Sequence, residues 1–348
     1  MGQRTFCSFP PFAAARVNER SLLTILKFFV NFVPGMKKLH HIIEAQQFDR
    51  PWLEEELFPL AKEMEKVAKG GGSNVLFRKR MITLFYEPST RTRASFEIAM
   101  NTLGGKVVFS TENARQFSSA AKGETLEDTI KVLNSYHPDV IVLRYDEEGG
   151  AKRAAEVSSV PIINAGDGTG QHPTQALLDL YTIQKEIGQI AGVSIAMVGD
   201  LARGRTVRSL SYLLGKFPDV KIYYVSPEVA RIRDDIKDYL KKHGVWFTEG
   251  YDLREVAPKV NVIYQTRTQK ERGLQLEKYG PKAFCIINQE VLDLMKKDAI
   301  LMHPLPHTEE IAPEVDSDPR AAYFRQAENG LYIRMALLKK LLKQKAKG

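Results

Sequence analysis

Short apolar runs rich in β-branched residues recur along this chain, and segments with helical periodicity separate them. In the first half the runs are Met81–Tyr86, Lys106–Ser110, Asp139–Tyr145 and Pro161–Asn164. In the second half they are Ser194–Gly199, Lys221–Val225, Asn261–Gln265, Ala283–Ile287 and Ala299–Met302. Each has the length of a buried strand. Between them lie helices, predicted at Glu124–Tyr136, about 148–157 and Thr174–Ile187. An earlier one runs from Met36 through Leu53, Leu57, Leu60, Met64 and Val67 to Gly70–Gly72. A last helix, from about Asn329, is amphipathic through Leu331, Met335, Leu338 and Leu342. Alternation of this kind specifies parallel sheets covered by helices on both faces. The expected fold class is α/β, with two doubly wound parallel-sheet domains and the active site in the cleft between them, near residues 165–175. The first domain is expected over 36–173, rejoined by the C-terminal helix 329–348, and the second over 174–328.

Charge settles less than it first suggests. The net +8 is held at the two ends, +3 in residues 1–35 and +5 in residues 336–348, so the body of the chain is neutral. Basic ends are ordinarily solvated tails, and no nucleic-acid-binding motif accompanies them. The apolar stretch Ser21–Val33 is interrupted by Lys27 and Asn31 and is too short and polar to span a membrane. Residues 1–35 are expected to form a poorly ordered extension. They read as an organelle-targeting peptide, an amphipathic extension, or sequence upstream of a working start at Met36, and the last two are preferred. The two cysteines, Cys7 and Cys285, form neither a metal pattern nor a disulfide framework. That points to a reducing compartment, and the expected location is cytoplasmic.

The chemistry is concentrated first in Glu87-Pro-Ser-Thr-Arg-Thr-Arg93, which follows the strand Met81–Tyr86 and opens a helix through Phe96, Met100 and Leu103. A helix start offers free N–H groups with partial positive charge, hydroxyls donate as well, and Arg adds a planar cationic fork. Ser89 or Thr90 as a plain N-cap is the competing reading. Two arginines flanking Thr92 favour an anion site, because cations in the first turn oppose the helix dipole unless an anion answers them.

Five more clusters sit at strand ends or loops, where α/β sheets bind ligands. They are Arg144, Gln171–Gln175, Gly199–Thr206, Thr266–Arg272 and Met302–Pro306. Each alone has a structural reading: a surface ion pair for Arg144, a loop hydrogen bond for His172, a solvated charge run for 266–272, a stiffened turn for Pro304 and Pro306. The Gly199–Gly204 loop lacks the Gly-x-Gly-x-x-Gly spacing, and the chain has no P-loop, which argues against a nucleotide site.

Taken together, Ser-Thr-Arg-Thr-Arg, His-Pro-Thr-Gln and His-Pro-Leu-Pro, in this order and at these separations, resemble the carbamoyltransferase family over about residues 36–345. Thr266–Arg272 and His303–Pro306 resemble its aspartate branch. The ornithine branch carries Ser-Met-Gly and His-Cys-Leu-Pro segments that this sequence lacks. The resemblance implies carbamoyl transfer from carbamoyl phosphate to L-aspartate, the step of pyrimidine synthesis that yields N-carbamoyl-L-aspartate. A carbamoyltransferase with another amine acceptor, or a non-catalytic scaffold, are the alternatives. That chemistry needs no metal, cofactor or covalent intermediate; it needs cations and donors that hold two anions together and stabilise an oxyanion.

By the same resemblance, Ser89, Thr90, Arg91 and Thr92 cradle the phosphate. Arg144 and His172 join Thr92 at the carbamoyl oxygen, and Gln175 holds the amide. Arg205, Arg267 and Gln269 read the aspartate carboxylates, and the backbone of Leu305 and Pro306 reaches the amines. Ser118 and Lys122 match a family loop that enters the neighbouring subunit's site, touching both substrates, which implies a homotrimer; a regulatory chain is a further partner the family admits. Glu87 and Arg272 match positions that bridge the two domains on closure. His307 stands where the family usually has Arg, and no catalytic role is assigned to it. The direction taken by Arg93 stays open between ligand, interdomain carboxylate and subunit interface.

Overall fold

The computed structural model describes residues 39–250, 252–267 and 285–343. The expectations placed on residues 1–35, Gln269 and Arg272 lie outside these described residues. The first sheet contains β1 (Arg80–Phe85), β2 (Lys106–Thr111), β3 (Val140–Tyr145) and β4 (Ile162–Asp167) in the order β2-β1-β3-β4, all parallel. The second contains β5 (Ser194–Val198), β6 (Lys221–Val225), β7 (Trp246–Gly250), β8 (Val262–Gln265) and β9 (Ile300–Met302) in the order β7-β6-β5-β8-β9, again all parallel. Two parallel α/β sheets are what the alternation of apolar runs and helices required.

The strand orders place the ligand site. Beside β1 the chain leaves in one direction to β2 and in the other to β3; beside β5 it leaves to β6 and to β8. Crevices open at such switch points, outside the carboxyl ends of the strands. The loops there follow β1 and β3 in one sheet and β5 and β8 in the other. Ser89 and Arg267 lie in them, Arg205 opens the helix that follows β5, and Arg144 is the next-to-last residue of β3. Strands β1, β3 and β4 are buried almost throughout, as strands covered on both faces must be. Edge strand β2 instead exposes Val108 and Phe109.

Helices α1 (Phe58–Lys69), α2 (Thr90–Thr102), α3 (Leu126–Ser135), α4 (Gly150–Val157), α5 (Pro173–Ile187), α6 (Arg205–Leu214), α7 (Asp234–Lys242) and α8 (Tyr323–Leu342) cover the sheets. The last of these packs against α1, α2 and α5. No described helix is long and apolar enough to cross a membrane.

Four local readings are corrected. The stretch 39–49 is not α-helical: Ile42 bridges to Ile163 at the margin of the first sheet, Ala45–Gln47 make one 3₁₀ turn, and a π-helical turn, Trp52–Leu57, leads into α1. Strand β7 was not anticipated, because it is an edge strand with no fully buried residue and shows no apolar run. Within the run 283–287 the described part holds only an isolated bridge, Ile287 to Ile311. Helix α8 begins at Tyr323 rather than Asn329, because its first turns bury Gln326 and Asn329, polar residues that break the apolar stripe.

Candidate active site

At the head of α2, Ser89 occupies the N-cap position without using its side chain to cap the helix. Its N–H donates to Glu112 Oε1 at 2.6 Å, and its hydroxyl accepts from Arg144 Nη1 at 3.2 Å. The N-cap reading thus holds for position but not for hydrogen bonding, and the first N–H groups of α2 face the cleft without that competitor. Arg93 leaves the cleft: it donates to Ser110 Oγ at 2.8 Å and Glu112 Oε2 at 3.2 Å, tying α2 to β2. Arg91 stays, exposed at the cleft wall. Partial burial, then the Arg267 cation, press its guanidinium below the usual arginine range. An anion bound beside Arg91 would offset that like-charge repulsion.

At the cleft, one carboxylate ties the two sheets together. Glu87 Oε2 accepts from Arg144 Nε at 3.2 Å and from Arg205 Nη2 at 3.1 Å. Arg144 follows the core of β3, and Arg205 opens α6 on the second sheet, where it also donates to Gly168 O at 2.9 Å. Gly166 has φ +114°, and a Cβ there would lie 2.9 Å from Arg205 Cζ, so the close approach of this arginine requires glycine.

His172 precedes α5, is buried, and donates its N–H to Ser209 Oγ of α6 at 2.9 Å. Gln171 serves the scaffold instead, accepting from Ala45 N–H at 2.8 Å. Across the cleft, the segment from His303 to Pro306 has a cis Leu305–Pro306 bond. Leu305 N–H donates to His303 Nδ1 at 2.8 Å, so Nε2 carries the hydrogen and donates to Glu310 Oε1 at 3.0 Å. Burial pushes the His303 ring toward the neutral form, in accord with that tautomer.

Burial by itself raises the Glu310 carboxyl. The bonds from His303, its own backbone N–H and Thr308 outweigh that and hold it at about 2, against 4.5 ordinarily. A folded-state value below the unfolded one stabilises fully above about 4.5 and is lost as pH falls toward 2. We expect the thermal midpoint of the wild type to exceed that of Glu310→Gln near neutrality, and the difference to shrink steadily through that acid window. A constant difference would show that Glu310 carries no linked proton.

Ser89, Thr90, Arg91, Thr92, Arg144 and His172 therefore line one cleft of about 590 Å³ together with Gln175, Arg205, Arg267, Leu305 and Pro306. Ser118 and Lys122 do not reach the cleft of their own chain. Ser118 caps its own turn through Ala120 N–H, Lys122 is exposed, and Ser118 lines a separate groove beside Phe109 and Tyr136. His307 is also outside the cleft lining, 3.4 Å from Asp316 and edge-on to Tyr323. Gln326, Arg334 and, beneath them, Asp179 were not anticipated. The available signal was a charge inside an apolar run: Leu177-Leu-Asp-Leu-Tyr181 and Tyr332-Ile-Arg-Met335.

Two family models match in tandem. The aspartate/ornithine carbamoyltransferase carbamoyl-P binding domain covers residues 40–185, and the family's Asp/Orn binding domain covers 191–341. Among known proteins, the chloroplastic aspartate carbamoyltransferase of Arabidopsis thaliana is 59% identical over 308 residues, 88% of this chain and 78% of that one. Its chloroplastic counterpart from rice is 58% identical, covering 89% of this chain and 87% of that one. The crystal structure of Trypanosoma cruzi aspartate transcarbamoylase with carbamoyl phosphate and aspartate superposes with a TM-score of 0.82 at 41% identity, covering 88% and 97% of the two chains. The plastid location of the plant relatives overturns the cytoplasmic location expected from cysteine usage. Cysteine content reports a reducing compartment, which does not distinguish the two.

Proposed function

The chain belongs to the aspartate/ornithine carbamoyltransferase family, and from that premise we infer that it transfers the carbamoyl group of carbamoyl phosphate to L-aspartate. The observation that carries the reading is the convergence of Arg91, Arg144, His172, Arg205 and Arg267 on a single cleft between two switch points. A scaffold has no use for so many converging cations. His303-Pro-Leu-Pro306, in place of a cysteine-bearing segment, supports aspartate over ornithine.

In this reading residues 36–173, rejoined by the C-terminal helix, bind carbamoyl phosphate, and 174–328 bind aspartate. The N–H groups and hydroxyls of Ser89–Thr92 take the phosphate with Arg91. The neutral amine of aspartate attacks the carbamoyl carbon, and its C–N bond forms. Negative charge collects on the carbamoyl oxygen, where Thr92, Arg144 and His172 donate to it. The C–O bond to phosphate then breaks, and the departing phosphate takes the amine proton. Arg205 and Arg267 hold the aspartate carboxylates, Arg being suited to planar bidentate recognition. Gln269, outside the described residues, is placed with them, and the Leu305 and Pro306 backbone takes the amines.

Ser118 and Lys122 complete the site from a neighbouring copy in a homotrimer. Supporting this, Val108, Phe109, Phe117, Val132 and Tyr136 expose a large apolar surface around the loop that bears them. We place the protein in a plastid, on its likeness to the chloroplastic relatives. The deciding assay offers aspartate, ornithine and related amines with carbamoyl phosphate. Turnover is expected with aspartate at least about 100-fold above ornithine, since arginines placed to read a second carboxylate repel the side-chain amine that ornithine brings there instead. Preference for ornithine, or no turnover with any amine, would sink the reading.

A further inference from the structure

Beneath the cleft floor, one buried carboxylate joins four parts of the fold. Asp179, fully buried in α5, accepts at Oδ1 from Gln175 Nε2 at 2.8 Å and from Gln326 Nε2 at 2.6 Å. Its Oδ2 accepts from the Tyr264 hydroxyl of β8 at 2.7 Å. Gln326 relays the contact, its Oε1 accepting the His303 N–H at 2.9 Å. Oδ1 accepts whether or not the carboxyl is protonated, since a proton would sit on Oδ2 facing the Tyr264 oxygen; it therefore fixes both amides, each Nε2 pointing down to Asp179 and each Oε1 away from it. For Gln326 that oxygen clamps the backbone before Pro304. Gln175 lines the cleft, and the oxygen is the amide atom it has left to offer there.

Arg334 of α8, only 4% exposed and 5.2 Å from the Phe96 ring centroid, supplies the compensating charge. Burial pushes the Asp179 carboxyl up to about 7, against the pull of its three donors and of Arg334. Burying this carboxylate carries a desolvation cost that its three donors and Arg334 offset, and the same bonds set the direction of the two amides.

We infer that Asp179 is a positioning residue for the carbamoyl group, acting through Gln175 and, by way of Gln326, the His303–Pro306 backbone, so that acceptor oxygens meet the carbamoyl NH₂. Asp179 touches no substrate. The inference rests on carbamoyl transfer as the reaction, and the test separates the two. Wild-type turnover with carbamoyl phosphate is measured first, and its absence removes the reaction reading itself.

The discriminating probe is acetyl phosphate, which keeps the phosphate and carbonyl but has a methyl group in place of the amide nitrogen. In Asp179→Leu the KM for carbamoyl phosphate should rise about tenfold or more, the usual scale for losing one well-placed hydrogen bond. The inhibition constant of acetyl phosphate should change less than about threefold, because its methyl group makes no such bond. Asp179→Asn should stay near wild type for both ligands, since Oδ1 still accepts from the two glutamines while Nδ2 donates to the Tyr264 oxygen. If Asp179→Leu does not fold, as judged by thermal unfolding, Asp179→Ser takes its place with the same expected ratio. Equal weakening of the two ligands, or an Asp179→Asn variant as impaired as Asp179→Leu, overturns the inference.

Discussion

Replacing Arg91 with alanine is expected to lower kcat/KM for carbamoyl phosphate by about three orders of magnitude while leaving the fold intact. Removing one preorganised donor at a site of developing charge costs about 10²–10³ in rate, and a cation bound to a dianion adds ground-state affinity to that. Arg91 concentrates both effects, standing in the first turn of α2 beside N–H groups that the Ser89 hydroxyl does not cap. The Arg267 cation nearby helps press the Arg91 guanidinium below the usual arginine range, and a bound dianion would offset that repulsion. Stability should barely move, because Arg91 is exposed and makes no ion pair among the described residues; a surface change of this kind stays within about 0.5 kcal/mol. Arg91→Lys keeps the charge but loses the planar fork, so it should recover only part of the activity. Steady-state kinetics together with thermal midpoints decide the matter. A loss of less than tenfold in Arg91→Ala would remove Arg91 from the phosphate site.

Much of this arrangement was legible before any coordinates, for definable reasons. Buried parallel strands must be apolar on both faces, so β1, β3, β4, β5 and β8 showed themselves as runs. Function in such sheets collects just past those runs, which is how Ser89, Arg144, Arg205 and Arg267 could be singled out. Side-chain direction was not legible. Arg91 and Arg93 are two positions apart in one helical turn, yet one faces the cleft and the other turns to Ser110 and Glu112 of a neighbouring strand and its flank. Asp179, Gln326 and Arg334 were hidden for a different reason. In sequence each is an interruption of an apolar stripe, and only tertiary packing gives it partners that lie far away in the chain. The early segment 39–49 departs from helix because Ile42 and Ile43 share hydrogen bonds with Ile162 and Asn164 of β4, partners its own periodicity does not reveal.

Chains carrying Lys122→Ala and chains carrying Arg91→Ala should each be nearly inactive alone, and mixing them should restore activity. Lys122 is an exposed residue on the segment after β2 and is absent from the cleft of its own chain, whereas Arg91 lines that cleft. If Lys122 serves a neighbour's cleft, a site needs Arg91 from one subunit and Lys122 from the next. In a randomly mixed trimer about one quarter of the sites draw both intact residues, so recovery should approach about a quarter of wild-type kcat per site. The recovered sites should show wild-type KM, because nothing in them is altered. A Lys122 that acted within its own chain would give no recovery at any mixing ratio, since every site would then carry one of the two defects. The measurement therefore requires independent proof of subunit exchange, by mass of differently tagged chains, before the kinetics are compared. Exchanged trimers that stay inactive would return Lys122 to the role of a solvated loop residue, and with it Ser118, whose hydroxyl already has local partners in Ala114 and Ala120.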